Sequence, residues 1–93
     1  MKYEVIPTSK FKKDLAKMIR QRKDTSKLDR VVDMLADGKT LPTLNKDHKL
    51  TGSYKGYREC HVEPDWLLVY KIEKSKLVLS LTRTGSHSEL LDM

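Results

Sequence analysis

The longest apolar segment of the chain predicts a strand that runs through the middle of a β-sheet. It covers residues 66–72 and reads Trp-Leu-Leu-Val-Tyr-Lys-Ile. The segment is rich in aromatic and aliphatic residues, and it is too short to be a typical helix. Pro64-Asp65 precedes it and a polar turn, residues 73–76, follows it. Residues 66–72 are therefore expected to form a central strand with a turn at each end.

Two further strands are predicted on either side of this segment, over residues 57–63 and 77–83. In the later strand Leu77, Leu79 and Leu81 alternate on one face. Alternation also places Arg83 in phase with these leucines, but it lies at the strand end, where a bend could expose it. A meander can bring that end close to residues 57–63, so we consider Arg83 a candidate phosphate-binding residue.

The earlier strand carries a polar face. Because side chains alternate, Tyr57, Glu59, His61 and Glu63 are predicted to share one face, and Arg58, Cys60 and Val62 the other. The histidine-bearing face is thus a candidate site.

The N-terminal third predicts a strand and two helices. Residues 3–6 resemble a short strand that Pro7 stops, and Thr8 or Ser9 can begin a helix. The apolar residues of that helix are predicted to share one face; they are Phe11, Leu15, Met18 and Ile19. A second helix is predicted over residues 26–37, followed by Gly38 as a C-terminal stop.

The element order is therefore β-α-α-β-β-β, which indicates an α+β fold. We expect the two N-terminal helices to pack on one face of a small antiparallel sheet, as a single domain of residues 1–93. Residues 39–55 are polar and are predicted to form a long loop with little regular structure, which in so small a domain is usually functional or mobile.

The positive charge is concentrated at the N-terminus. Residues 1–30 contain ten Lys or Arg and four Asp or Glu. The net charge of this segment, +6, equals that of the whole chain. Outside its apolar face the first helix carries a cationic ridge of Lys10, Lys12, Lys13, Lys17, Arg20, Arg22 and Lys23. Such a ridge favours a polyanion or an acidic protein as partner, although a merely solvated helix face remains an equal alternative.

The three histidines all lie in the second half of the chain and are candidates for proton transfer. His48 follows Asp47 in the predicted loop, His61 lies among acidic residues, and His87 follows the last strand. Sequence gaps of thirteen and twenty-six residues match no compact metal-ligand motif. No nucleophile elbow or glycine-rich phosphate loop is present either. Cleavage of RNA through its 2′-hydroxyl needs only a base, an acid and a cation. The residues permit this chemistry, but surface histidines with structural hydrogen bonds remain the alternative.

The chain carries one cysteine, Cys60, so no internal disulfide can form. No stretch reaches the ~20 apolar residues of a membrane span, and the lysine-rich start lacks the apolar segment of a signal peptide. We therefore expect a cytoplasmic protein without a membrane partner.

Three ordered blocks of the sequence, residues 46–52, 56–70 and 83–90, resemble the YafQ-type toxins of the RelE superfamily. They contain the Asp-His, His-Val-Glu-Pro-Asp and Gly-Ser-His motifs, and with them all three histidines. This resemblance implies a RelE-like fold. It also implies an mRNA endoribonuclease of a bacterial type II toxin–antitoxin system that acts in the ribosomal A site and uses no metal or other cofactor.

The resemblance also implies roles for individual residues. His48 corresponds to the general base and His87 to the general acid, although the two labels could be exchanged. His61 and Asp65 match further catalytic positions that orient groups and stabilise charge, and Glu59 is expected to support them. Many relatives carry an aromatic residue where this chain has Leu91, and a ring there could stack on an mRNA base.

The partners implied by the resemblance are mRNA, ribosomal RNA and a cognate antitoxin. We expect Lys12, Lys13 and Lys17 to contact ribosomal RNA, and an acidic, DNA-binding antitoxin to compete for an overlapping surface. Operator DNA would be bound only through the antitoxin complex. Two other readings stay open: a non-catalytic toxin of the same superfamily that acts by binding protein, as ParE does, and a plain RNA-binding module. Either Tyr54 or Tyr57 could compensate for Leu91.

Overall fold

The computed structural model of the chain describes residues 2–90. Within them lie two α-helices and five strands of one sheet. In chain order the elements are β1 (Glu4–Pro7), α1 (Ser9–Arg20), α2 (Thr25–Ala36), β2 (His48–Lys49), β3 (Arg58–Glu63), β4 (Trp66–Glu73) and β5 (Val78–Gly85).

Strand β4 lies in the middle of the sheet, whose order is β1-β5-β4-β3-β2. It pairs antiparallel with β3 on one side and with β5 on the other. Each residue from Trp66 to Tyr70 is at most 2% exposed. The central strand predicted from the apolar segment is confirmed, and so is the α+β class.

The sheet is mixed, so the expectation of a wholly antiparallel sheet was wrong at one edge. Strand β1 runs parallel to β5, with Glu4 opposite Val78 and Pro7 opposite Leu81. Short turns join β3 to β4 and β4 to β5, and such turns enforce antiparallel pairing. No turn joins β1 to β5, because the helices and three strands separate them in sequence. The direction of β1 is therefore set by packing.

Helix α1 begins at the predicted residue, and α2 begins at Thr25, one residue before its predicted start. The Thr8 side chain accepts a hydrogen bond from the Phe11 main-chain N–H at 3.1 Å and so caps α1. Asp24 caps α2 by accepting from Ser26. Beyond the end of α2, Gly38 adopts a φ of +77°, a conformation that glycine reaches without strain.

Helix α1 packs over β5 with Phe11 and Met18 buried. Ile19 was predicted to share their face, but it is 57% exposed. One residue turns a helix by about 100°, so the step from Met18 carries the Ile19 side chain into solvent.

Side chains of β4 supply two separate apolar clusters, one on each face of the sheet. Trp66, Leu68 and Tyr70 join the main core beneath the helices. Leu67 and Val69 point to the opposite face, where Leu90 covers them. Partly buried Leu50 and Tyr57 complete this second cluster. The sheet face without helices is therefore covered only by loop residues and the C-terminal turn among residues 2–90.

A buried hydrogen-bond chain ties β4 to β5 at one end of the sheet. The Trp66 indole N–H donates to the Thr84 hydroxyl at 2.8 Å, and that hydroxyl donates to the Leu67 carbonyl at 2.7 Å. Thr84 is 1% exposed. The neighbouring Thr82 hydroxyl is also buried, but among the described residues it has no hydrogen-bond partner.

This contrast predicts opposite outcomes for two isosteric substitutions. Thr84→Val should lower the free energy of unfolding by about 1–3 kcal/mol, because it leaves the buried Trp66 N–H without an acceptor. Thr82→Val should be neutral or stabilising, because it removes a hydroxyl that is desolvated without a partner. Urea unfolding of both variants measures the difference. Equal destabilisation by the two would show that the Trp66–Thr84 bond contributes nothing specific.

Candidate active site

His48 lies on the edge strand β2, where it pairs with Glu59 of β3. Its Nε2 atom is 3.5 Å from a Glu59 carboxylate oxygen. The predicted loop of residues 39–55 therefore contains regular structure: β2 and two 3₁₀ turns, Thr43–Asn45 and Gly52–Tyr54. A two-residue strand is too short to produce a periodic pattern, so the sequence could not indicate it.

Strand β3 has the two predicted faces as far as Val62, but not at Glu63. A bulge places Glu63 opposite Trp66 of the main core, and its carboxylate pairs with Lys27 of α2, so it does not share the face of Glu59 and His61. Glu59 lies opposite Val69, and His61 lies opposite Leu67, both of which belong to the second cluster. Cys60 points the other way into the main core and is fully buried. Burial raises the pKa of its thiol to about 12, because a thiolate is poorly solvated there. Cys60 is thus a core residue without nucleophilic character.

His87 lies in the turn that follows β5 and is bound to Asp65 of the β3–β4 turn. One Asp65 carboxylate oxygen accepts both the His87 main-chain N–H, at 3.0 Å, and the Nδ1–H, at 2.7 Å. These two bonds, the main-chain bond first, lower the pKa of Asp65. The His61 ring lies next to His87, with ring centroids 5.6 Å apart. Two turns distant in sequence therefore meet at one end of the sheet.

All three histidines use Nδ1 for a bond to the protein. Nδ1 of His48 is 2.7 Å from the Lys46 carbonyl oxygen, and Nδ1 of His61 is 3.2 Å from the Pro64 carbonyl oxygen. A carbonyl oxygen can only accept, so Nδ1 must carry the hydrogen in both. The Asp65 carboxylate imposes the same tautomer on His87. In each neutral ring, Nε2 is then left as the atom that can accept a proton.

An open groove of about 380 Å³, lined by His87 but by neither of the other two histidines, lies on the sheet face without helices. Glu59 and His87 line it together with Leu67 and Leu90 of the second cluster. Its opposite wall is the segment from Leu50 to Tyr54. The groove is the place where a substrate would contact both the β3 face and the His87 turn.

A β-bulge places Arg83 on the histidine-bearing face. Tyr70 lies opposite Leu81 but Val69 lies opposite Arg83, so Thr82 is an extra residue in β5. Because of the bulge, Arg83 does not continue the face of Leu79 and Leu81, as alternation predicted. It belongs to the cross-strand row that contains Val69, Glu59 and His48. Its guanidinium donates to Asp14 of α1 at 2.7 and 3.3 Å.

The first-helix lysines differ in their surroundings. Lys12 and Lys13 are exposed, whereas Lys17 forms an ion pair of 2.7 Å with Glu89. Glu89 also accepts the Ser86 main-chain N–H at 2.8 Å. Lys17 therefore braces the turn that carries His87. Leu91, which stands where many relatives carry an aromatic residue, lies outside the described residues.

Asp47 is a residue of the site that sequence reasoning did not select. Its carboxylate accepts the Tyr70 hydroxyl at 2.5 Å and two Arg58 N–H groups at 3.1 and 3.3 Å. The burial of Tyr70 and its bond to Asp47 raise the pKa of its hydroxyl. This cluster fastens the residue before His48 to β3 and β4. The Asp-His pair was the available signal, since it placed a carboxylate next to a candidate base.

Among residues 2–90, no group of three or more His, Cys, Asp or Glu residues is arranged to hold a metal ion. No helix in that range is long and apolar enough to cross a membrane.

Residues 3–92 match the family model described as the bacterial toxin of type II toxin–antitoxin system, YafQ. The chain belongs to the YafQ toxin family. It is 40% identical over 84 residues to the mRNA interferase toxin YafQ of Escherichia coli K12, a match that covers 89% of each chain.

Solved structures agree with this assignment. YafQ in the crystal structure of the E. coli DinJ–YafQ toxin–antitoxin complex is 37% identical and superposes with a TM-score of 0.86, over 97% of this chain and 98% of that one. A metal-bound toxin from Helicobacter pylori is 44% identical and superposes with a TM-score of 0.89, over 95% of this chain and 98% of that one. These relatives share the mixed sheet and the two helices.

The Glu89 contacts predict a pH-dependent contribution to stability. The Lys17 ammonium, followed by the Ser86 N–H, lowers the pKa of Glu89 from 4.5 to about 2. Its stabilising effect is then complete above pH 4.5 and disappears as the pH falls towards 2. Glu89→Gln should remove this dependence and cost roughly 1 kcal/mol at pH 7, since half-exposed Lys17 is screened by solvent.

Urea unfolding of wild type and Glu89→Gln between pH 2 and 7 measures this contribution. Glu73→Gln is the matched control, because its partner Lys76 is 73% exposed. Wild type and Glu89→Gln should differ in their free energy of unfolding at pH 7 and converge at pH 2. If the difference in unfolding free energy between wild type and Glu89→Gln stayed constant from pH 2 to 7, it would contradict the assigned role of the Glu89 charge.

Proposed function

We propose that this chain is a ribosome-dependent mRNA endoribonuclease toxin of a type II toxin–antitoxin system. The observation that carries the proposal is the shared anchoring of the three histidines. His48, His61 and His87 each bind a protein acceptor through Nδ1. His48 lies opposite Glu59 of β3, and His61 of the same strand lies next to His87. Their Nε2 atoms are left for proton transfer. The name mRNA interferase, given to the E. coli relative, supports the same reaction class.

The proposed reaction is a transesterification. A base removes the proton of the ribose 2′-hydroxyl, and the 2′-oxygen attacks the adjacent phosphorus. The bond from phosphorus to the 5′-oxygen then breaks, and that oxygen takes a proton from an acid. The products are a 2′,3′-cyclic phosphate and a 5′-hydroxyl. The protein must therefore supply one proton acceptor, one proton donor and positive charge for the phosphate oxygens.

His87 is suited to the role of general acid. Asp65 accepts its Nδ1–H at 2.7 Å, and a carboxylate at that distance stabilises the imidazolium form. The imidazolium can then donate its Nε2 proton to the departing 5′-oxygen. The main-chain bond from His87 to the same carboxylate oxygen holds the residue in place during the transfer.

His48 is suited to the role of general base. Its Nδ1–H is held by the Lys46 carbonyl, so the neutral ring presents Nε2 as a proton acceptor. After proton uptake, the imidazolium would face the Glu59 carboxylate, which lies 3.5 Å from Nε2. Glu59 thus supports the charged form of His48. His61, adjacent to His87, is assigned to the charge on phosphorus. Arg83 lies in the row of Glu59 and is assigned a supporting positive charge, with its guanidinium bound to Asp14.

The proposed partners follow from the same assignment. The substrate is mRNA in the ribosomal A site, reached in the cytoplasm. The inhibitor is a cognate antitoxin, acidic and DNA-binding, and operator DNA is bound only through the toxin–antitoxin complex. The DinJ–YafQ complex of E. coli supports an antitoxin partner.

Replacement of His87 tests the catalytic assignment. Loss of the general acid in His87→Gln and His87→Ala should reduce mRNA cleavage by about 10²–10⁴-fold and relieve growth arrest. Asp65→Asn should give an intermediate loss, because His87 keeps its ring but loses the carboxylate that stabilises its charged form. Mapping of new mRNA 5′ ends after expression in cells measures the reaction. Lys74→Ala, in the β4–β5 turn, is the control.

The non-catalytic alternatives make a different forecast. Growth arrest by His87→Ala equal to that of wild type, with no new 5′ ends in either, would refute cleavage as the toxic activity. Purified toxin on programmed ribosomes adds a second readout. Toxin stripped of metal with EDTA and then transferred to magnesium-containing ribosome buffer should cleave as before, and a loss of cleavage that only an added transition-metal ion restores would contradict the metal-independent mechanism.

The exposed part of the cationic ridge is proposed to bind ribosomal RNA. Lys12 and Lys13 are its best probes, because Lys17 is paired with Glu89 and its loss would disturb the His87 turn. An acidic antitoxin segment is proposed to compete for an overlapping surface.

Charge reversal at both probes should weaken ribosome binding and reduce its sensitivity to salt. In Lys12→Glu/Lys13→Glu, the slope of log K against log salt should fall by about one unit for each lost phosphate contact. Lys74→Glu/Lys76→Glu makes the same charge change in the β4–β5 turn and should leave the slope near that of wild type. An unchanged slope in the helix variant would exclude these lysines from the RNA contact.

A further inference from the structure

Among residues 2–90, Tyr54 is the one Phe, Tyr or Trp that lines the groove beside His87. Tyr54 is partly exposed and lies at the end of the 3₁₀ turn Gly52–Tyr54. Glu59 and His87 line the same groove. A planar ring is therefore available on the groove that also contains Glu59, the partner of His48, and the proposed acid His87.

The other tyrosine of this segment, Tyr57, has a structural role. It packs against the second cluster on the sheet and lies beneath the Lys71 ammonium, 5.3 Å from the ring centroid. Its ring contacts Tyr54 edge to face, with centroids 5.6 Å apart and planes at 73°. Tyr57 thus connects the Tyr54 ring to the sheet and limits its motion.

The backbone around Tyr54 is also ordered before any ligand binds. The Tyr54 main-chain N–H donates to Thr51, and the Tyr54 carbonyl accepts from Tyr57. Gly52 and Gly56 have φ angles of +65° and +95°, which other residues adopt only with strain. Two glycines therefore permit the tight turn that presents the ring.

The surface next to this ring is basic. A second groove, of about 650 Å³, shares with the first the wall formed by residues 50–52. Lys49, Lys55 and the Tyr57 ring line it. An aromatic ring with lysines beside it is the arrangement that holds a single-stranded nucleic acid, because rings stack on bases and lysines attract phosphates.

We propose that Tyr54 is the stacking platform for an RNA base next to the cleaved phosphate, and that Lys49 and Lys55 contact the neighbouring phosphates. This inference rests on the proposed function in one respect: the base is taken to belong to the mRNA that is cleaved. Residue 91 is Leu here, and Tyr54 supplies an aromatic ring on the groove from a different segment of the chain. Tyr54 is accordingly a specificity residue and takes no part in proton transfer.

Fluorescence of a modified RNA tests stacking without any need for cleavage. The probe is a single-stranded RNA hexanucleotide that carries 2-aminopurine, whose emission falls when it stacks on a ring. Wild type and Tyr54→Phe should bind and quench it alike. Tyr54→Ala and Tyr54→Leu should bind about 5- to 100-fold more weakly and lose the quenching, the loss expected for one stacked base. Leucine keeps apolar volume without a ring, so it separates stacking from hydrophobic contact.

Thermal unfolding and histidine NMR spectra of each variant verify that the turn and the site stay intact. Equal binding and quenching by Tyr54→Ala and wild type would overturn the inference, and so would absence of probe binding by wild type. Mapping of mRNA 5′ ends supplies the second arm, in which Tyr54→Ala should still cut but with a flattened base preference. An unchanged base preference of cleavage by Tyr54→Ala would also contradict the proposed stacking role of Tyr54. Absence of cleavage by wild type would refute the proposed function, while the fluorescence result would decide on base binding separately.

Discussion

The pairing of β4 between β3 and β5 is the constraint on which the rest of the structure depends. This strand is buried on both faces, so its alternate side chains feed two clusters on opposite sides of the sheet. The helices cover one face. The other is covered by Leu90, Leu50 and Tyr57, which belong to the segments that carry the candidate site. Packing of the second cluster therefore positions the site, and any loss of β4 pairing would disperse it.

Histidine orientation in this chain is fixed mainly by short local bonds. His48 and His61 bind carbonyl oxygens two and three residues away, whereas His87 binds Asp65, twenty-two residues away in the β3–β4 turn. Main-chain carbonyls do not titrate, so these anchors persist over a wide pH range. The Asp65 bond is different, because it joins Nδ1 of His87 directly to a carboxylate at 2.7 Å, whereas the Glu59 carboxylate lies 3.5 Å from Nε2 of His48. This asymmetry is the physical basis for assigning His87 to the acid and His48 to the base.

Much of the fold followed from patterns in single segments. Three local signals were each sufficient to predict an element: Thr8 before one amphipathic helix, Gly38 after another, and the apolar residues 66–72 between two turns. Prediction was wrong where a long-range contact decided the outcome. The open edge of β5 is paired with β1, which runs parallel to it, and the open edge of β3 is paired with the two-residue strand β2. Ile19 was misplaced because periodicity defines the apolar stripe but not its width.

The sequence by itself determined which residue types were available: three histidines with nearby carboxylates, a basic first helix and the motifs of the YafQ family. It also determined the two faces of β3 as far as Val62, because alternation is a local property of any strand until a bulge interrupts it. Only the tertiary structure decided that His61 and His87 are neighbours, that Asp65 rather than another acid binds His87, and that Lys17 braces the His87 turn. It also decided that Arg83 belongs to the histidine-bearing face, because β5 contains an extra residue, Thr82. These features depend on how distant segments pack against a shared strand, and that packing is a property of the whole fold.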